Sequence, residues 1–177
     1  MERIITDIDE KIKVGVLPIE TGREAEKKGE LRLLTLMLGY TPIISHNSDG
    51  KPFIEGYNIS ISHTKGYVAI IISRFFEVGV DIEYPADRVL RIASRFLRDD
   101  EPFNDIDSCL TAWCAKEAVY KLFSSDHLGF HDMKVDVFAR KVKVLKHGLI
   151  VKFVRKKSTN FLLTYCWRSV SYTHLRA

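Results

Sequence analysis

Between Ile106 and Phe123 the chain keeps a helical period but is apolar on nearly every side. A helix of that kind is stable only when it is buried, so the rest of the molecule must be built around it. The run carries few charges, chiefly Lys116, Glu117 and Lys121. Buried charges need partners or a water-filled cleft. At about 100° per residue, Glu117 falls beside Leu110, Trp113, Cys114 and Lys121. A Glu-to-Lys pair one turn apart on a surface stripe would contribute only roughly 0.2–0.5 kcal/mol. The flanking Trp113 and Leu110 speak against so simple a stripe, while Lys116 is expected to be solvated or in contact with a phosphate.

The rest of the chain supplies strands to cover that helix. Lys11–Leu17 reads as a strand closed by Pro18, and Arg23–Leu38 as a helix stopped by Gly39. Ser45–Gly50 is a loop by composition. Asn58–His63 alternates, Thr64–Gly66 turns, and Tyr67–Ser73 and Val78–Glu83 are strands, which predicts an antiparallel meander of three. Pro85 breaks the pattern, and Arg88–Leu97 is helix-prone. Met133–Phe138, Leu149–Arg155 and Phe161–Trp167 complete the strands. Helix plus sheet thus occurs twice, and an α+β chain of two lobes is expected, residues 1–84 and 85–177. No internal repeat is visible, and Val170–Ala177 continues no pattern, as a non-native or truncated end would.

Composition removes several classes of function. The chain has 177 residues, 46% hydrophobic and 28% charged, unlike a disordered, collagenous or disulfide-stapled protein. Its 27 basic and 23 acidic residues leave a net charge of +4, too little for a dedicated nucleic-acid binder. Three cysteines, Cys109, Cys114 and Cys166, form no Cys-x-x-Cys pair and point to a reducing, cytoplasmic setting. The first ten residues lack a signal-peptide core, and the longest aliphatic stretch, Tyr67–Ile72, is too short to cross a bilayer.

The chemical signal lies in carboxylates. A period of two sends Val78, Val80 and Ile82 to one face of their strand and Gly79, Asp81 and Glu83 to the other. Two carboxylates on one face repel unless a cation sits between them, and the glycine leaves room for a ligand to approach. Taken alone, the segment reads as an ordinary acidic strand surface, because short acidic pairs are common. If strand and helix face each other, Asp81, Glu83 and Glu117 supply three oxygen ligands suited to Mg²⁺ rather than zinc. Phosphoryl transfer follows as an expectation.

Gly79-Val-Asp-Ile-Glu83, followed about thirty residues later by Trp113-Cys-Ala-Lys-Glu-Ala-Val-Tyr-Lys121, resembles the paired signature of the 4′-phosphopantetheinyl transferase superfamily. Gly50-Lys-Pro-Phe53 and Ile59-Ser-Ile-Ser-His63 resemble the coenzyme A-binding segments of its surfactin-synthetase-activating branch. The resemblance runs from about Arg23 to Trp167. It implies two pseudo-equivalent α+β lobes, the first shortened, in a monomer with one site. It also implies transfer of the 4′-phosphopantetheine arm of coenzyme A to a serine of an apo acyl or peptidyl carrier protein, releasing adenosine 3′,5′-bisphosphate. Asp81, Glu83 and Glu117 match the Mg²⁺ ligands, and Lys121 the lysine beside the reacting phosphate. Glu117 would take the serine proton, directly or through water. Lys51 and Pro52 match a segment lining the nucleotide, Ser62 and His63 a site near its phosphates, and Arg32 an arginine that approaches the 3′-phosphate. On the residues alone, a strand-end turn with a capping hydroxyl and an exposed imidazole accounts for Ser62 and His63, and a solvated lysine after a turn for Lys51. Arg88, Arg91, Arg95 and Arg98 suit either an acidic carrier or a solvated helix face. The competing functions are another Mg²⁺-dependent phosphotransferase or phosphohydrolase, and a non-catalytic carrier-binding module.

Overall fold

The structure is a computed structural model that describes residues 4–8 and 10–169, so the patternless tail at 170–177 lies outside the described residues. Strands β1 (Ile4–Ile8) and β2 (Ile12–Pro18) lead into helix α1 (Arg23–Leu38). The short pair β3 (Ser45–His46) and β4 (Pro52–Phe53) precedes β5 (Asn58–Thr64), β6 (Tyr67–Ser73) and β7 (Phe76–Glu83). Helices α2 (Arg88–Arg91) and α3 (Ile106–Leu122) follow, then β8 (Met133–Asp136), β9 (Lys141–Val144), β10 (Leu149–Lys157) and β11 (Leu162–Ser169). The architecture is mixed α+β. Helix α1 ends where the spacing predicts, because Gly39 adopts a left-handed conformation (φ 80°) and its N–H bonds Thr35 O. Arg88–Leu97 gives only one α-helical turn and a short 3₁₀ turn at Ala93–Arg95.

The strands form two main sheets, ordered β1-β2-β6-β5 and β7-β11-β10-β9-β8. The expected three-stranded meander is therefore only a hairpin. β5 and β6 pair with each other, but β7 leaves them and pairs antiparallel with β11 from Phe76–Ser169 to Glu83–Leu162. Periodicity can place a strand but not its neighbour: the apolar face of β7 meets the first sheet across a core, while the strand itself pairs with β11. Apolar side chains of α1 and the first sheet form one core, including Leu33, Leu34, Ile59 and Ile70. A second core joins the sheets face to face, with Val14, Val16, Ala69 and Ile71 against Val78, Val80, Ile82 and Leu163. A third lies between the second sheet and α3, around Cys109, Ala115, Val119, Val142 and Phe153. The layers thus run α1, first sheet, second sheet, α3.

One seam joins the sheets in an unusual way. Val80, Ile82 and Tyr84 donate their backbone N–H groups to the hydroxyls of Ser60 (3.2 Å), Ser62 (3.3 Å) and Thr64 (2.8 Å). Asn58 Nδ2 donates to Phe76 O at 2.8 Å. The constant offset of twenty residues between the hydroxyl-bearing residues and their donors means that β5 and β7 run parallel. Alternate polar side chains of β5 bond the backbone of β7 where no backbone ladder joins the two.

Helix α3 is capped by Asp105, whose Oδ1 accepts the Ser108 N–H at 2.8 Å. It is buried as expected, and the expected solvation of Lys116 is corrected. That side chain is fully buried, with Nζ 2.6 Å from Glu101 Oε2 and 2.7 Å from Phe96 O. Among the described residues no helix is long and apolar enough to cross a membrane.

Candidate active site between β7 and α3

The alternation along β7 holds. Val78, Val80 and Ile82 enter the core between the sheets, while Gly79, Asp81 and Glu83 meet α3. Trp113, Glu117 and Lys121 stand one turn apart on the facing side of α3, as their spacing requires. Gly79 proves to serve the helix rather than a ligand. A Cβ at that position would lie 2.0 Å from Ala118 O and 3.1 Å from Leu122 N, so the missing side chain lets the α3 backbone press onto the strand.

Asp81 is only 4% exposed. Its Oδ1 accepts from Lys121 Nζ at 2.8 Å and from Ser62 Oγ at 2.9 Å, and its buried Oδ2 has no hydrogen-bond partner. Lys121 Nζ also donates to Val80 O at 3.1 Å. Glu83 Oε1 accepts from Trp113 Nε1 at 2.9 Å. The indole is itself held between Phe96 and Phe130, with ring centroids 5.2 and 5.1 Å away. Burial raises the Glu83 carboxyl to about 7. The Asp81 and Glu117 charges add to that rise, and the Trp113 bond and Lys121 oppose it. Burial and the Asp81 charge likewise raise Glu117, against the pull of Lys121.

Among the described residues no three of His, Cys, Asp and Glu form a ready-made metal-holding group, so the expected carboxylate trio is not preassembled. Its members nevertheless suit a hard divalent cation. They offer oxygen only, the Asp81 charge raises both Glu83 and Glu117, and Asp81 keeps one buried oxygen bare.

A cavity of about 240 Å³ opens beside Lys121. Lys51 and Pro52 line it from one side, Ser60 from β5, and Tyr120, Ser124 and His127 from the far end of α3 and beyond. Burial lowers the Lys51 pKa while Glu77 draws it up and Arg168 adds to the lowering. His127 Nε2 stands 3.8 Å from Asp49 Oδ1, and both residues line the same cavity.

Ser62 and His63 are not at a strand-end turn but inside β5. The Ser62 hydroxyl is taken up by Ile82 and Asp81, and His63 Nε2 lies 2.7 Å from Glu30 Oε1 on α1. Arg32 is not brought to this group. It lies about 200° around α1 from Glu30. There it lines a separate groove of about 710 Å³ with Lys28, Lys65 and Tyr84. Arg23 and Lys27, spaced i, i+4, i+7 with Glu30, share the His63 flank of α1, a signal readable in the sequence but passed over. Ser60, His127 and the Trp113 N–H were also missed. Of these only the alternation Asn58, Ser60, Ser62, Thr64 left a mark in the letters. Of the four arginines, Arg98 is engaged internally, by Asp100 Oδ1 at 2.9 Å and His131 O at 2.6 Å, whereas Arg88, Arg91 and Arg95 are exposed.

The segment that builds this site also identifies the class of protein. A family model of the 4′-phosphopantetheinyl transferase superfamily matches residues 77–166, about half of the chain, and the chain belongs to that superfamily. The match spans Asp81, Glu83, Glu117 and Lys121, and stops short of Arg32, Lys51, Pro52, Ser62 and His63. Membership indicates a transferase acting on the phosphopantetheine group. No curated protein matches the chain.

Proposed function

We propose that this chain moves the 4′-phosphopantetheine arm of coenzyme A to a serine of an apo acyl or peptidyl carrier protein, in a Mg²⁺-dependent reaction. The observation that carries the reading is the buried, partnerless Oδ2 of Asp81, set among Glu83, Glu117 and Lys121 within the family-matched segment. Asp81, Glu83 and Glu117 would hold the ion. Bound there, Mg²⁺ would supply positive charge to the diphosphate.

The chain's own residues do the rest. Glu117, whose carboxyl is raised by burial, accepts the proton of the attacking serine hydroxyl. The serine oxygen bonds to the pantetheine-side phosphorus as the bond to the adenosine-side phosphate breaks. Lys121 supplies positive charge to the departing bisphosphate. Lys51 and Pro52, in the cavity beside Lys121, take the nucleotide. His63 serves the phosphate end, bordered by Ser62. Arg32 stands apart from this arrangement.

The pairing of α1 with the first sheet and α3 with the second supports two pseudo-equivalent lobes of the surfactin-synthetase-activating type, the first shortened. In that reading the lobes are residues 1–84 and 85–177, with β7 bonded to both sheets. A monomer with one site fits a chain with the Gly-Lys-Pro and Ser-His segments of the two-lobed type, and three free, buried cysteines fit a cytoplasmic setting. Exposed Arg88, Arg91 and Arg95 offer charge to an acidic carrier.

The test is incubation with coenzyme A, Mg²⁺ and a panel of apo carriers, read by mass spectrometry. One carrier should gain a single phosphopantetheine, and Asp81→Ala and Glu117→Ala should each abolish the gain while remaining folded. Undiminished transfer by both variants would remove the assignment.

A further inference from the structure

Ser62 does two things at once. Like Thr64 two residues on, it accepts a backbone N–H from β7 and so holds the seam between the sheets. Unlike Thr64, it also gives its proton to a carboxylate, donating to Asp81 Oδ1 at 2.9 Å. A serine hydroxyl has one proton and two lone pairs, so both bonds are available together. Ser62 is only 6% exposed, which leaves its hydroxyl little access to anything but these two partners.

The consequence falls on Asp81. Lys121 donates to the same oxygen, so two donors, one from each side of the site, converge on Oδ1. Oδ2 is buried and receives none. A carboxylate in which both donors favour one oxygen cannot exchange its oxygens without losing two hydrogen bonds. Such a group presents its bare oxygen in one direction, and outer-layer bonds of this kind orient metal-binding side chains.

We propose that Ser62 is a positioning residue for the cation-binding carboxylate, holding Asp81 Oδ1 so that Oδ2 faces a divalent ion. This rests on the assignment of Asp81 as an ion ligand made above. It gives Ser62 a duty toward the protein and not toward the coenzyme phosphates, and it ties the first sheet to the site through one hydroxyl.

The test uses Mn²⁺ as probe, with the full chain and no coenzyme A, read by titration calorimetry and electron paramagnetic resonance. Ser62→Ala is compared with Thr64→Ala, which loses an equivalent seam bond but touches no carboxylate. Ser62→Ala should weaken Mn²⁺ binding by about 10–100-fold, the usual range for loss of an outer-layer partner. Thr64→Ala should stay within about twofold of the parent chain, since it leaves that outer layer intact. If Ser62→Ala does not fold, Ser62→Cys, which keeps the side-chain shape with a somewhat larger atom and is a weak donor, carries the comparison and should show the same loss. A parent chain that binds Mn²⁺ while the Ser62 variant binds equally well overturns the positioning role alone. Equal losses in the Ser62 and Thr64 variants do the same, reducing Ser62 to a seam residue. A parent chain that does not bind Mn²⁺ overturns the ion assignment and this inference with it.

Discussion

Lys116 and Glu117 are neighbours in the chain with opposite fates. Glu117 turns to the site, while Lys116 turns into the core beneath it. There Glu101 accepts from Lys116 Nζ, from the Arg98 N–H at 2.9 Å and from the Val135 N–H at 2.5 Å. These bonds tie the segment after α2 to α3 and to β8. Removing one partner of a buried pair strands the other charge, which costs about 3–5 kcal/mol. Lys116→Met should therefore be strongly destabilised in denaturant unfolding. Lys116→Met combined with Glu101→Gln should recover much of the loss, because no uncompensated charge remains. A single variant as stable as the parent would show that the pair contributes little. The letters alone show three charges on an apolar helix. They do not show which is paired inside and which faces the site, because helical phase against unknown neighbours decides it.

Among the elements, α3 on β7 is the contact that makes the site. The strand and the helix were both legible, but their facing arrangement entered only as a condition, since neither the alternation around Gly79, Asp81 and Glu83 nor the apolar run of the helix names the surface it will cover. The role of Gly79 was not legible. Its Cβ would meet the backbone of α3 at 2.0 Å, whereas a Cβ at Gly15 would meet only the side-chain ends of Leu33 and Met37, at 2.8 Å. Flexible side chains give way, but a helix backbone must move as a body. Gly79→Ala should cost at least the roughly 1–3 kcal/mol typical of overpacking, and more than Gly15→Ala. It should also depress transfer, because Glu117 and Lys121 ride on the displaced helix. Unfolding curves and transfer assays on the two variants decide this, and a milder effect at Gly79 than at Gly15 would refute it. The β5–β7 seam was half legible: the polar alternation from Asn58 to Thr64 is plain, but its partner strand lies outside any local pattern.

Across the molecule, the price of gathering acids between layers should appear as a pH dependence. The Glu83 carboxyl is raised from an ordinary 4.5 to about 7 by burial and by its acidic neighbours. Between those values the folded metal-free chain keeps a proton that the unfolded chain has released. Folding then takes up a proton, so this group's effect on stability is unfavourable to the fold as pH rises through that window. The melting temperature of EDTA-treated protein should fall from about pH 5 to about pH 7.5 more steeply than that of Glu83→Gln. Added Mg²⁺ at the upper end should restore part of the difference, because a ligand that binds only the folded state stabilises it. Identical slopes for the two proteins would show that Glu83 is not strained by its surroundings.

Local order is what the letters could decide: which segments repeat at 3.6 and which at two, where Gly39 stops a helix, and which strand face carries acids. Those properties depend on residues within a few positions of one another. The exit of β7 into the second sheet, the pairing of Lys116 with Glu101, the hydroxyl bonds from β5 and the separation of Arg32 from His63 depend on which distant surfaces meet. Burial energy is non-directional, so many arrangements of the same amphipathic pieces satisfy it. Close approach, hydrogen-bond geometry and charge pairing select among them, and these exist only once the layers are assembled.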